Sequence, residues 1–203
     1  LRSALRAFAL DGDPPGRVLE RLSRFAGGSG PAALATVVYA VLEPRTRGVR
    51  IASAGHPPPV VLEGDGRATV VEGLRGAPLA AVEPPRYDEI PMGLGPGATL
   101  VLYSDGLVER RGESIDVGLE RLRRAVERAA GRDPERLCQE VLDVLVGDAP
   151  ADDVAILAVR LIDLEVPPLD LEMPARPESV RALRRAVRDW LEAYGADPRE
   201  VHE

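Results

Sequence analysis

Leu100-Val101-Leu102-Tyr103-Ser104-Asp105-Gly106-Leu107-Val108-Glu109-Arg110-Arg111 marks the point at which the chain changes its hydrophobic period. On its N-terminal side, apolar residues come in short runs divided by Gly, Pro and Asp, a spacing that predicts strands. On its C-terminal side, Leu119, Leu122, Val126 and Ala129 share one helical face. Leu137, Val141, Val144 and Leu145 share another, opened by Asp133 as cap and Pro134 at the first helical position. Strands gathered ahead of helices, instead of alternating with them, predict an α+β layered domain.

Moving outward toward the N-terminus, Tyr87 to Met92 and Ala98 to Tyr103 flank Gly93-Leu94-Gly95-Pro96-Gly97 and read as a hairpin. Pro59 to Glu63 and Arg67 to Val71 read as another, joined by Gly64-Asp65-Gly66. Leu34 to Leu42 is almost continuously apolar and rich in Val, which predicts a strand buried on both faces. It pairs across the Pro44 to Gly48 turn with the alternating run Val49 to Ser53. Leu1, Leu5 and Phe8, then Val18, Leu22 and Phe25, are spaced as two helices divided by Asp13-Pro14-Pro15-Gly16, and Gly27 to Pro31 ends the second.

Toward the C-terminus, Val154 to Leu161 predicts one further buried strand, and a first domain is expected to close near Ile162. Residues 163–170, with Pro167-Pro168, read as a linker. Leu169 to Met173 predicts a short strand, and Pro177 opens a helix with Val180, Leu183, Val187, Trp190 and Leu191 on one face. A lone strand and helix cannot bury such a face by themselves, so residues 171–203 are expected to begin a truncated second α/β domain.

The 203 residues are 45% hydrophobic and 29% charged, a globular balance that argues against a disordered chain. A net charge of -7 disfavours a nucleic-acid binder that works through an overall basic field. All 26 basic residues are Arg, a bias that carries no function by itself. No apolar run approaches the roughly 20 residues of a membrane span, so no membrane contact is expected from this segment. The single cysteine, Cys138, excludes an internal disulfide framework and a multi-cysteine zinc site, fits a reducing cytoplasm, and reads as a buried inert thiol. A start at Leu1, without Met or a signal-like segment, reads as a piece of a longer cytoplasmic protein.

Two acidic signals carry the candidate chemistry. Asp105 follows an apolar strand and precedes a glycine, where a carboxylate can point into a cleft. Ala151-Asp152-Asp153-Val154 immediately precedes the last apolar strand. Each alone is ordinarily a solvated turn. Together, at adjacent strand ends, they would offer the hard oxygen ligands that Mg²⁺ or Mn²⁺ prefers. His56, in Ala54-Gly55-His56-Pro57-Pro58-Pro59, reads as a rigid strand-to-strand corner whose ring satisfies backbone groups more readily than as a general base. Glu109-Arg110-Arg111 reads as a solvated charge run ahead of a phosphoprotein contact.

The ordered set Ala54 to Pro59, Gly76-Ala77-Pro78-Leu79, Leu100 to Arg111 and Asp152-Asp153-Val154-Ala155 resembles the SpoIIE/RsbU branch of the protein phosphatase 2C-like, metal-dependent serine phosphatases. The resemblance covers residues 1–162. It implies a partial α-β-β-α phosphatase sandwich with two Mn²⁺ or Mg²⁺ ions between the sheets, and a phosphoserine or phosphothreonine substrate on an anti-sigma-factor antagonist. By that resemblance Asp105, Asp152 and Asp153 are the catalytic residues, with Asp105 and Asp152 as metal ligands and Asp153 beside them. Metal-activated water would attack phosphorus without a covalent enzyme intermediate.

Two departures from the pattern are mild: Ser104 stands where Thr is more common, and Ala80 where Gly is usual. The pattern's upstream Asp-bearing strand and Asp-x-x-Gly-His-Gly segment would precede Leu1, and Asp11 and Asp13 match neither. Leu171 to Leu191 is similar to the opening of the RsbW-like serine kinases, without the Asn-bearing helix and glycine-rich segments that would bind ATP. The expected activity is therefore that of a protein serine/threonine phosphatase in partner switching, with a homodimer compatible with this reading. The alternative is a regulatory module of the same fold that docks its partner without turnover.

Overall fold

The computed structural model describes residues 1–28, 34–146, 153–162, 169–174 and 176–193. The chain divides into two compact units, Leu1–Leu161 and Ile162–Glu203.

The first unit opens with helices α1 (Arg2–Leu10) and α2 (Pro15–Gly27). Pro15 at the first turn lacks only an amide that would have no helical partner, so the helix starts there without loss. The buried side of α2 presents Leu19, Leu22 and Ala26 to Ala52, Ala54, Leu79 and Tyr87. Phe25, expected on that side, is 47% exposed and meets Phe8 of α1 edge to face at 6.5 Å. Asp11 and Asp13 both bind Arg21, whose guanidinium lies 4.3 Å from the Phe8 ring centre, so this pair staples the two helices together.

Strands β1 (Val37–Glu43), β2 (Gly48–Ala54) and β5 (Glu89–Gly93) form one antiparallel sheet in the order β1-β2-β5. Strands β3 (Val60–Leu62), β4 (Ala68–Val70), β6 (Thr99–Tyr103) and β7 (Ile156–Arg160) form the other, in the order β4-β3-β6-β7. Val49 and Ile51 of the first sheet pack with Val61 and Leu100 of the second. Helices α3 (Ile115–Arg128) and α4 (Pro134–Leu145) close the outer face of the second sheet through Leu122, Val126, Leu137 and Val141. The layers are thus helix, sheet, sheet, helix, as expected.

Local chemistry explains the helix starts. Asp133 accepts the Arg136 amide at 2.9 Å, and that bond holds the Asp133 carboxyl below its ordinary range. Ser114 caps α3 by accepting the Asp116 amide, so this helix begins earlier than its apolar stripe predicts. Gly118 is required there: a Cβ would stand 1.9 Å from the Val108 carbonyl oxygen. Cys138 is half-buried, not fully buried, and burial pushes its thiol up, which keeps it protonated and unreactive.

Three strand expectations need correction. Residues 93–97 do not join a hairpin: β5 pairs with β2 whereas β6 pairs with β3 and β7, so this glycine-rich stretch carries the chain from one sheet to the other. Its Leu94 and the Ala98 that follows it are buried between the sheets, and the Leu94 amide donates to Arg47 O at 2.9 Å. The hairpin expected across Gly64-Asp65-Gly66 does form between β3 and β4, with Gly66 at φ +89°. Strand β1 starts at Val37 and is half-exposed along its length, since among the described residues it pairs only with β2. Strand β7 likewise pairs only with β6 among the described residues, with Leu157 55% exposed.

In the second unit, residues 169–173 form no strand, since no neighbouring strand pairs with them among the described residues. Helix α5 (Pro177–Ala193) starts where expected. Ser179 Oγ donates to Pro174 O at 2.6 Å, which fastens the lead-in segment to the first turn. Val180 and Leu183 remain 49% and 44% exposed and, with Leu171 and Met173, border a recess of about 450 Å³. No helix among the described residues is long and apolar enough to cross a membrane.

Candidate functional site

Strand β6 lies inside its sheet, and four of its five residues are buried. Its apolar run ends at Tyr103, and the chain turns at once into a short 3-10 helix, Asp105–Leu107. Asp105 O accepts the amides of Val108 at 2.9 Å and Glu109 at 2.8 Å, while Leu107 and Val108 are buried in the core beneath. The Asp105 side chain is half-buried at this strand end, with Oδ1 accepting the Gly106 amide at 2.9 Å.

Antiparallel register places the start of β7 beside the end of β6, with Tyr103 opposite Ile156. One residue further out, the Ser104 amide donates to Ala155 O at 2.9 Å. Ser104 Oγ donates to Asp153 O at 3.1 Å and accepts the Ala155 amide at 2.8 Å. Asp105 and the exposed Asp153 therefore lie on adjoining segments at one end of the sheet. Asp152 lies outside the described residues.

The neighbouring corner, Gly55 to Pro59, carries the chain from β2 to β3 and so from one sheet to the other. His56 Nε2 donates to Tyr103 O at 2.7 Å, which leaves Nδ1 to accept the Thr36 hydroxyl at 3.1 Å. Ser53 Oγ accepts the His56 amide at 3.1 Å and donates to His56 O at 3.0 Å. Tyr103 completes the tie: its phenol donates to Pro58 O at 2.6 Å, and burial pushes the phenol up, keeping it protonated as a donor. The histidine thus works as a structural corner, as its proline-rich setting predicts. A recess of about 270 Å³ opens beside it, bordered by Val38, Leu102, Ser104, Ala155 and Leu157.

A hard divalent cation suits the chemistry of Asp105, a half-buried carboxylate at a strand end. The described residues bring one carboxylate of the expected pair of ligands and hold no group of three or more His, Cys, Asp or Glu side chains arranged for a metal. In sequence Ser104 is only a mild substitution and Arg110 part of a solvated charge run. The first bridges the two acidic segments, and the second donates from Nη2 to Leu145 O at 2.9 Å. A hydroxyl residue between an apolar strand and Asp-Gly was the available signal for Ser104. Nothing local could reveal the partner of Arg110, 35 residues away.

Two antiparallel sheets packed face to face between helix layers, with an acidic turn at the end of an inner strand, match the fold of solved PP2C-type phosphatase domains. The match to solved structures is broad. The RsbU and RsbW domains of Rv1364c from Mycobacterium tuberculosis align over 97% of this chain, with 29% identity and a TM-score of 0.77, and the chain spans 55% of that one. The SiaA-PP2C domain of Pseudomonas aeruginosa aligns over 78% of this chain and 65% of its own, with 20% identity and a TM-score of 0.61. The phosphatase domain of the cell fate determinant SpoIIE from Bacillus subtilis (Mn presoaked) aligns over 81% and 74%, with 17% identity and a TM-score of 0.56. The family model described as Stage II sporulation protein E (SpoIIE) matches residues 1–162, and the chain belongs to that family.

Proposed function

We propose that this chain serves a metal-dependent protein phosphatase that hydrolyses phosphoserine or phosphothreonine on an anti-sigma-factor antagonist in bacterial, cytoplasmic partner switching. The observation that carries the reading is the β6–β7 register, which brings Asp105 and the Asp153 segment to one sheet end in a member of the SpoIIE family. Asp105 and Asp152 would hold Mn²⁺ or Mg²⁺, with Asp153 beside them. When bound, such ions supply activated water and neutralise charge on the phosphoryl group.

The chain's own residues do the positioning. β6 is paired on both sides and holds the Asp105 turn rigid, Gly106 orients the carboxylate, and the Tyr103 and His56 bonds tie the neighbouring corner to the same strand end. Residues 1–162 are read as the phosphatase domain and residues 171–203 as the opening of an RsbW-like domain after a 163–170 linker. An alignment that takes in 97% of this chain, against a structure containing RsbU and RsbW domains, supports that division.

The test is Mn²⁺-dependent hydrolysis of a phosphoserine peptide by this chain and by a version extended upstream through the strands that the family resemblance implies. Activity that falls by at least ~100-fold in Asp105→Asn supports the proposal, on the scale expected for losing a group that stabilises transition-state charge. Activity indifferent to Asp105→Asn overturns the site. No activity in either version, with retained binding of the phosphoprotein, favours the docking module.

A further inference from the structure

Helix α5 stands apart by its charge. Across residues 176–188 the chain carries Arg176, Arg181, Arg184, Arg185 and Arg188 against Glu178 alone, although its net charge is -7. Arg181, Arg184, Arg185 and Arg188 are exposed, and among the described residues none of the four has an ion pair or a side-chain hydrogen bond. On α3 the arginines are paired instead, Arg121 with Glu113, Arg123 with Glu120 and Glu127, and Arg124 with Glu120. Arg184 has no acidic residue three or four positions away in either direction. Like charges four apart, as in Arg181 and Arg185 or Arg184 and Arg188, destabilise a helix, so the row does not serve α5 itself.

An open apolar recess lies beside the row. Val180 and Leu183 are 49% and 44% exposed, and with Leu171, Met173 and Arg176 they border about 450 Å³. At about 100° per residue, Arg184 stands about 40° round the helix from Val180, so charge and recess share one flank. An acidic polypeptide fits that flank better than other anions. Guanidinium groups pair with carboxylates through two parallel hydrogen bonds, and the recess takes an apolar side chain, which nucleic acid does not carry. A duplex or an anionic bilayer is an extended surface that would also meet the acidic remainder of the chain. A short segment stays within the reach of the row, about 8–10 Å at ordinary salt. Val187, Trp190 and Leu191, the rest of the apolar stripe, are half-buried, which leaves little of it for a bilayer.

We propose that the second unit docks an acidic amphipathic helix of a partner protein, one apolar side chain entering the recess and carboxylates pairing with Arg181, Arg184 and Arg188. The two turns from Arg181 to Arg188 span about 10 Å, a spacing that carboxylates two turns apart on a facing helix repeat. The proposal does not depend on the phosphatase reading of the first unit.

The test follows the fluorescence of Trp190, the only tryptophan, in the full 203-residue chain as a tryptophan-free synthetic helical peptide of Glu, Ala and Leu is added. Saturable binding that weakens as salt rises is the expected result. A peptide with Gln in place of Glu, and one with Ala in place of Leu, should each bind about tenfold more weakly, the first without its ion pairs and the second without its buried side chain. In the protein, Arg184→Gln combined with Arg188→Gln should weaken the Glu peptide about tenfold. Arg184→Lys combined with Arg188→Lys should stay within about threefold of wild type, which separates lost charge from a disturbed helix. Arg124→Gln, on α3, should leave binding unchanged. Absence of saturable binding, or equal weakening by Arg124→Gln, overturns the proposal. So does tighter binding of a DNA duplex or of phosphatidylserine vesicles than of the Glu peptide, which would assign the row to nucleic acid or to lipid.

Discussion

Strand β6 has neighbours on both sides and four of its five residues are buried, whereas β1 pairs only with β2 among the described residues and six of its seven residues are half-buried. In sequence the two look alike, Leu100-Val101-Leu102-Tyr103 against Val37-Val38-Tyr39-Ala40-Val41-Leu42. The difference comes from place in the sheet. An inner strand is covered by its neighbours, by Val49 and Ile51 across the sandwich and by the α3 and α4 layer. An edge strand with the same composition leaves one flank open. The acidic turn sits on the enclosed strand, where the scaffold can hold a carboxylate to one position.

The sharpest way to break this contrast is a pair of truncations. Leu100→Ala should lower the unfolding free energy by about 3 kcal/mol, as expected for a fully buried leucine. Leu42→Ala, on the half-exposed edge, should cost about 1 kcal/mol in the same urea titration, since less apolar area leaves water there. Equal losses would mean that β1 is as well covered as β6.

A smaller effect tests how firmly the corner between the sheets is tied to the end of β6. Tyr103→Phe removes the donor to Pro58 O and should cost about 1–2 kcal/mol in thermal or urea unfolding. A neutral result would show that the corner holds itself through Ser53 and His56 alone.

The smallest effect separates the enclosed sheet from its solvated helix. On α3, hydrogen bonds from Arg123 and then Arg124 hold the Glu120 carboxyl down to about 2, against an ordinary 4.5. A carboxyl lowered on folding contributes stability that is complete above its unfolded value and lost as pH falls through the folded one. The Glu120→Gln variant should therefore lose a little stability at pH 7 and approach wild type as pH drops from 4.5 toward 2. The side chain is 43% exposed to solvent that screens the pair, so the shift in midpoint should be slight and should shrink further in high salt.

Local signals were legible where their cause is local. Asp133-Pro134 announced α4, Pro177 opened α5, and the Gly64-Asp65-Gly66 turn joined the strands beside it, because capping, a fixed φ and a tolerated positive φ act within a few residues. The glycine-rich 93–97 stretch misled for the same reason. Its composition permits a turn but does not say whether the next strand returns to its predecessor or crosses to another sheet. Phe25 fell on the predicted helical face yet stayed half out of the core, since the hydrophobic period identifies a face and the neighbouring element decides how much of it is covered.

The sequence by itself determined an α+β layered domain and an aspartate two residues beyond an apolar strand, both of which follow from period, caps and short-range turn chemistry. The helix, sheet, sheet, helix order was implied by the resemblance of its motifs to a family. Only the tertiary structure decided that Ser104 would join Asp105 to the Asp153 segment and that Arg110 would reach the end of α4. These pairings span tens of residues. Their partners are chosen by antiparallel register and by the packing of α3 against the turn, not by anything adjacent in the chain.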